Sequence, residues 1–130
     1  MEDKAGIRTF ATKKRNVMTL AIIGSRNCPP VRVEDYLETM PDAIVSGGAK
    51  GADTYAREFA ERHGLKLTEH LPDYKKYGRY APLERNKHIV DDCDSVLAFW
   101  DGISRGTKFT LDYAREKNKP VKIVSFPKNG

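Results

Sequence analysis

Three short segments of the chain combine glycine with hydroxyl or basic residues, a composition suited to binding phosphate. They are Gly24-Ser25-Arg26, the stretch 46–53 and the stretch 101–107. Glycine lets the backbone approach a ligand closely and adopt positive φ, and the N–H groups at the start of a following helix attract an anion. Lys50 and Arg105 add full positive charge to that of Arg26. Together the three segments predict one phosphate-binding site, although each alone is also explained as a tight turn.

The candidate ligand-binding residues come from these segments and from one later pair. They are Gly24, Ser25, Arg26, Ser46, Gly47, Gly48, Lys50, Gly51, Asp53, Arg85, Asn86, Asp101, Gly102, Ser104, Arg105, Gly106 and Thr107. Asn86 interrupts an apolar stripe, so its amide either ties a loop to the helix or recognises a ligand. Asp53 either caps a helix or bonds a ligand hydroxyl, and Asp101 either accepts from a ribose hydroxyl or stabilises its own loop.

Other residue types that could do chemistry form no recognisable pattern. No loop matches the Walker or Gly-x-Gly-x-x-Gly spacing, which disfavours an ATPase and a conventional dehydrogenase. Cys28 and Cys93 have no metal-ligand spacing, and the three histidines form no nucleophile pattern, so no metal and no cofactor is expected. Three tyrosines, Tyr74, Tyr77 and Tyr80, either stack on a base or form a surface lid.

Apolar runs of strand length alternate with helical patterns and must position the three segments. The runs are Thr19–Ile23, Ala43–Val45, Leu65–Thr68, Val96–Trp100 and Val121–Phe126. Several are nearly continuous, as expected for parallel strands covered on both faces. We therefore predict an α/β, Rossmann-like, three-layer fold with five parallel strands in the order 3-2-1-4-5, and a ligand crevice beyond the ends of the first and fourth strands.

Helical periodicity places four helices between these strands. They are expected over about Val31–Met40, Gly51–His63, a segment that begins near Pro82, and about Thr107–Lys117.

Length and charge set the class of protein. With 130 residues, 39% hydrophobic, the chain suits one domain without disulfides. Residues 1–17 hold +3 of the net charge of +5, so they are interpreted as a basic extension or leader, and the domain is expected to span 18–130. The near balance of the remainder disfavours nucleic acid as a partner. No run is long enough to cross a membrane, so no membrane partner and a cytoplasmic location are expected.

These residues resemble the SLOG superfamily and, within it, the small YspA-like proteins. The resemblance covers about Thr19–Val124 and rests on Ile23-Gly24-Ser25-Arg26, the loop 45–53, Tyr77-Gly78, Arg85-Asn86 and the run 99–107. It implies a Rossmann-like fold that binds nucleotides or nucleotide-derived ligands, often as a sensor. Many relatives are dimers, so a homodimer is compatible with the resemblance.

The resemblance also bears on catalysis. The related cytokinin-activating phosphoribohydrolases look similar around a Gly-Thr-x-x-Glu segment, whose glutamate serves cleavage of an N-glycosidic bond. Here the corresponding run, Gly106 to Thr110, ends in threonine, which cannot act as that carboxylate. The favoured prediction is thus a binding protein. The alternatives are an N-glycosidic hydrolase or transferase using Asp101, and a nucleic-acid binder similar to the DNA-processing protein DprA.

Overall fold

The computed structural model describes residues 17–48 and 50–127, which form one sheet of five parallel strands. The strands are β1 (Thr19–Gly24), β2 (Ala43–Ser46), β3 (Lys66–Glu69), β4 (Ser95–Trp100) and β5 (Val121–Ser125). They pair in the order β3-β2-β1-β4-β5. The predicted fold class and strand order are confirmed.

Helices cover both faces of this sheet. They are α1 (Ala52–His63), α2 (Tyr74–Tyr77), α3 (Ala81–Asp91) and α4 (Arg105–Glu116), and two short 3-10 turns span Val33–Tyr36 and Gly78–Tyr80. None of the helices within the described ranges is long and apolar enough to span a bilayer. Of the predicted extension 1–17, all but residue 17 lies outside the described residues.

Alternation along β1 divides the core into two layers. Ile22 lies on the α1 face and packs with Phe59 and Phe99, whereas Ala21 lies on the opposite face with Ile89 and Leu111. All six residues are at most 2% exposed. Successive strand side chains point to opposite faces, so a continuous apolar run serves both layers.

The predicted helix over Val31–Met40 is wrong, because only the 3-10 turn Val33–Tyr36 forms there. Pro41 disfavours the helical conformation of the residue before it, and Leu37 is already extended. The turn is fastened to α1 by Glu34, whose carboxylate accepts from Arg62 at 2.8 and 2.9 Å.

Candidate functional site

A cavity of about 570 Å³ opens at the edge of the sheet where the strands end. It lies beyond β1 and β4, the neighbouring strands whose following connections leave in opposite directions. Open α/β sheets generally bind ligands in such a crevice. The cavity's position is therefore the one expected from strand order.

Most of the sequence-predicted site residues line this cavity. They are Gly24, Ser25, Arg26, Gly47, Lys50, Asp53, Arg85, Asn86, Asp101, Ser104, Gly106 and Thr107. The remaining candidates lie beside it and do not line it: Ser46, Gly48, Gly51, Gly102 and Arg105. The structure thus brings residues from all three glycine-containing segments and from α3 to one place.

Seven further residues complete the lining. They are Ile23, Asn27, Pro82, Leu83, Ile89, Ile103 and Thr110. Asn27 belongs to the loop already singled out, and Thr110 lies one helical turn beyond Thr107, so loop extent and helical period would have found both. Pro82, Leu83 and Ile89 form an apolar wall from α3, and nothing in the sequence distinguishes these residues from ordinary core residues.

The loop after β1 is held by backbone contacts on two sides. The Ser25 N–H donates to the Phe99 carbonyl at 3.0 Å, and the Asp101 N–H donates to Ser25 Oγ at 3.3 Å. On the other side Gly51, with φ of 74°, brings its α-carbon against this loop. A β-carbon there would lie 2.6 Å from the carbonyl oxygens of both Ser25 and Arg26. Gly51 therefore positions the cavity wall without lining it.

Arg85 is the most strongly positioned cation of the cavity. Its Nη1 donates to the carbonyls of Gly47 at 2.9 Å and His70 at 3.3 Å, and its Nε donates to Asn86 Oδ1 at 2.8 Å. Nη2 has no hydrogen-bond partner among the described residues. These bonds fix the plane of the guanidinium and leave one nitrogen for an anion.

Neighbouring charges act on Arg85 in both directions. Burial lowers the pKa of its guanidinium, the Asp53 carboxylate and the Tyr74 phenol raise it, and Arg26 lowers it again. Arginine remains charged throughout the physiological range despite such shifts. A partly buried positive charge with mainly neutral acceptors favours an incoming anion, because the anion supplies the missing counter-charge.

The amide of Asn86 has a structural role and remains available to a ligand. Its Oδ1 accepts from Arg85 Nε within the same helix, and it is Arg85 that bonds the loop, at the Gly47 carbonyl. Its Nδ2 makes no hydrogen bond within the described part of the chain, and the side chain lines the cavity. One end of the amide orients the arginine, and the other faces the ligand space.

The carboxylate of Asp101 stabilises the loop that follows β4. Oδ1 accepts from the N–H groups of Ile103 at 3.0 Å and Ser104 at 2.8 Å, while Oδ2 accepts from Ser104 Oγ at 2.8 Å. Burial alone would raise the pKa of Asp101, but these bonds and Ser25 lower it to about 2. The carboxylate is therefore ionised and already occupied at neutral pH.

The start of α4 forms part of the cavity wall. Ser104, Gly106 and Thr107 line the cavity, and the space where a Gly106 β-carbon would lie is open. Trp100 Nε1 holds the loop by donating to the Ser104 carbonyl at 3.1 Å. The N-terminus of a helix carries a partial positive charge, which suits a phosphate.

Thr110 occupies the position where the resemblance places a glutamate. It is 1% exposed, and its Oγ1 donates to the Gly106 carbonyl at 2.8 Å. This bond to the preceding turn uses the hydroxyl within the helix. Thr110 therefore contributes shape to the cavity floor and no carboxylate.

The lining carries both charge signs with a positive excess. Arg26, Lys50 and Arg85 are opposed by Asp53 and Asp101. Arg26 and Lys50 are exposed and form no ion pair with any described residue. An anion entering the cavity therefore meets cations that have no competing carboxylate at contact distance.

Metal and thiol chemistry have no support at this site. No cluster of three or more His, Cys, Asp or Glu side chains suited to a metal occurs among the described residues. Cys28 and Cys93 are buried, and burial raises the pKa of each thiol to about 11. A thiol with so high a pKa is a poor nucleophile at neutral pH.

No protein-family model, curated protein or solved structure matches the chain at a significant level.

Proposed function

We propose that this domain binds a nucleotide or nucleotide-derived phosphorylated ligand, as a sensor or carrier. The observation that carries the proposal is the convergence of three elements on one cavity: the β1 loop, the α1 entry loop and the first turn of α4. Each supplies backbone N–H groups or a cation suited to phosphate. The resemblance to SLOG proteins supports the same ligand class.

The polar groups of the cavity suit a ligand that carries hydroxyls as well as phosphate. Asn86 Nδ2 and Arg85 Nη2 are donors without a described partner, and Asp53 adds a carboxylate to the same wall. Ile23, together with Leu83 and Ile89 from the same helix as Arg85, supplies apolar surface to the lining. A nucleotide combines an anionic group, a sugar rich in hydroxyls and a planar apolar base, which matches this lining.

The geometry favours binding over cleavage of an N-glycosidic bond. A nucleophile or base needs a carboxylate that is free to reach the substrate, whereas both Asp101 oxygens hold the loop 101–104. A carboxylate with a pKa near 2 is also a weak base at neutral pH. Thr110 adds no second carboxylate.

Titration calorimetry of the full chain against ribonucleoside 5′-monophosphates, nucleoside diphosphates and ADP-ribose tests the proposal. We expect at least one to bind, and Lys50→Gln together with Arg26→Gln to weaken it by about tenfold or more. The matched control is Lys66→Gln, an exposed lysine at the start of β3, far from the strand ends.

Two results would contradict the proposal. The first is no binding by any member of the panel, and the second is binding that the paired substitutions leave unchanged. Release of free base from a monophosphate, abolished by Asp101→Asn, would favour the hydrolase alternative instead.

A further inference from the structure

The segment that leads into α3 directly precedes the cavity-lining residues Pro82 and Leu83 and is highly exposed. Residues 71–80, called the rim segment here, contain Tyr74 at 60% exposure and Tyr80 at 56%. Aromatic rings this exposed lose apolar contact unless another molecule covers them. The third tyrosine, Tyr77, is less exposed and lies with its edge toward the His88 ring at 6.5 Å.

The rim segment also carries cations that lack carboxylate partners. Lys75, Lys76 and Arg79 are exposed, and none forms an ion pair within the described residues. Instead the Lys76 ammonium and the Arg79 guanidinium each lie 5.2 Å from the centre of a neighbouring tyrosine ring. The acidic residue of the same stretch, Asp73, caps α2 by accepting from the Lys76 N–H.

The rim segment adjoins the loops that form the cavity. The carbonyl of His70, directly before the segment, accepts from Arg85 Nη1 at 3.3 Å, and a β-carbon at Gly48 would lie 3.1 Å from Leu71 Cδ2. Tyr80 immediately precedes α3, whose residues Pro82 and Leu83 line the cavity. A ligand that leaves the cavity on this side meets exposed rings together with cations that form no ion pair with a described residue.

We propose that the ligand is a dinucleotide, with one phosphorylated nucleotide in the cavity and a second base and phosphate on the rim segment. Exposed tyrosines beside unpaired cations provide a stacking surface for a base and a counter-charge for its phosphate. A mononucleotide held in the cavity leaves both features unused. The inference rests on the proposed function, because the cavity must first hold a nucleotide.

The test compares two probes on the full chain by titration calorimetry. The first is whichever of the four ribonucleoside 5′-monophosphates binds best, and the second is the 5′-phosphorylated dinucleotide of the same base. We expect the dinucleotide to bind about 10- to 100-fold more tightly. The nucleoside diphosphate, which adds charge without a second base, should gain less.

Substitutions in the rim segment separate this proposal from binding in the cavity. Tyr74→Ala and Tyr80→Ala together should remove most of the gain for the dinucleotide while leaving affinity for the monophosphate unchanged. Lys76→Gln should remove part of the gain. Its matched control is Lys117→Gln, since Lys117 lies at a similar 5.3 Å from a tyrosine ring on the distant end of α4.

The outcomes are distinguishable. A monophosphate that binds without any gain for the dinucleotide, or a gain that survives the tyrosine substitutions, overturns the rim proposal and leaves the proposed function intact. Affinity that keeps rising tenfold with every added nucleotide overturns the dinucleotide class in favour of a single strand. If no probe binds at all, the proposed function fails together with the inference.

Discussion

The two edges of the sheet use polar residues in opposite ways. Where β1 begins, Asp42 accepts from the N–H of Met18, directly before the strand, and Asp94 accepts from the N–H of Thr19, each at 2.8 Å. Where β1 ends, the cavity is lined by Arg26 and Lys50, neither of which forms an ion pair with a described residue. The first edge, where carboxylates bond backbone N–H groups, is called the closed edge here, and the second, where cations line the larger cavity, is called the open edge.

Chain direction explains this difference. All five strands are parallel, so every crossover helix begins at the edge where strands end. That arrangement collects helix N-termini, with their free N–H groups, on a single side. The opposite edge receives the strand starts, whose N–H groups need acceptors, and aspartates supply them. A cavity there, of about 360 Å³, is lined largely by apolar residues such as Leu20 and Leu97.

The largest effect that separates the two edges should come from Gly51→Ala. The new β-carbon would clash with two backbone carbonyls at 2.6 Å, and the residue would keep a φ of 74°. Strain and overpacking together should lower the free energy of unfolding by about 3 kcal/mol. Urea denaturation followed by circular dichroism measures this change.

Gly106→Ala is the control for that substitution. Gly106 also belongs to the cavity edge, but nothing lies within 4 Å of its prospective β-carbon. We expect unchanged or slightly increased stability, because alanine is the better helix former. Equal destabilisation by the two substitutions would contradict the assignment of Gly51 as the contact between loops.

The next largest effect should be a loss of ligand affinity at the open edge when Arg85 is substituted. Arg85→Gln removes the positioned guanidinium, and we expect a loss of about 2 kcal/mol in binding free energy, or roughly 30-fold in affinity for a monophosphate. Arg85→Lys should rescue it incompletely, since a lysine cannot bond Gly47, Asn86 and a ligand at once. Calorimetry measures both. If Arg85→Lys restored the full affinity, the positive charge alone would explain binding and the hydrogen bonds of the guanidinium would not be needed.

The sequence predicted the open edge better than the details within it. Apolar runs predict the strands, because burial on both faces leaves a clear pattern, and right-handed crossovers between them then favour the order 3-2-1-4-5. Strand order in turn determines which loops meet, so Ser25, Lys50 and Asp101 could be placed at one cavity. The roles of Gly51 and Arg85 could not, since they depend on contacts between residues distant in sequence.

The closed edge was largely invisible to pattern reasoning. Asp42 and Asp94 precede β2 and β4, and nothing in their spacing indicates that they bond Met18 and Thr19 at the start of β1. The predicted helix over Val31–Met40 failed for a related reason. Its apolar spacing suits a helix, but prolines at both ends limit the segment to one 3-10 turn.

A smaller change in stability should follow a substitution of Asp94 at the closed edge. Asp94→Ala removes the acceptor for the Thr19 N–H, which we expect to lower the free energy of unfolding by about 1 kcal/mol. Affinity for a nucleotide should stay unchanged, because Asp94 lies at the other end of the sheet. Thermal melting and calorimetry on one preparation check both statements. A weakened affinity would imply that the edges are coupled.

The smallest effect lies in the acid titration of Asp101, which distinguishes a carboxylate that holds a loop from one poised for catalysis. Its folded-state pKa of about 2 lies below the ordinary value of 3.8, so the loop bonds add stability that is fully present above about pH 4. That contribution is lost as the pH falls through the folded-state value. Between pH 5 and 9 the group stays ionised. Any pH dependence of ligand affinity in this range should therefore be the same in the wild type and in Asp101→Asn. Carboxyl chemical shifts recorded by nuclear magnetic resonance between pH 2 and 7 measure the midpoint directly. A midpoint near 6 would instead mark a proton donor or acceptor, and would return the hydrolase alternative to the open edge.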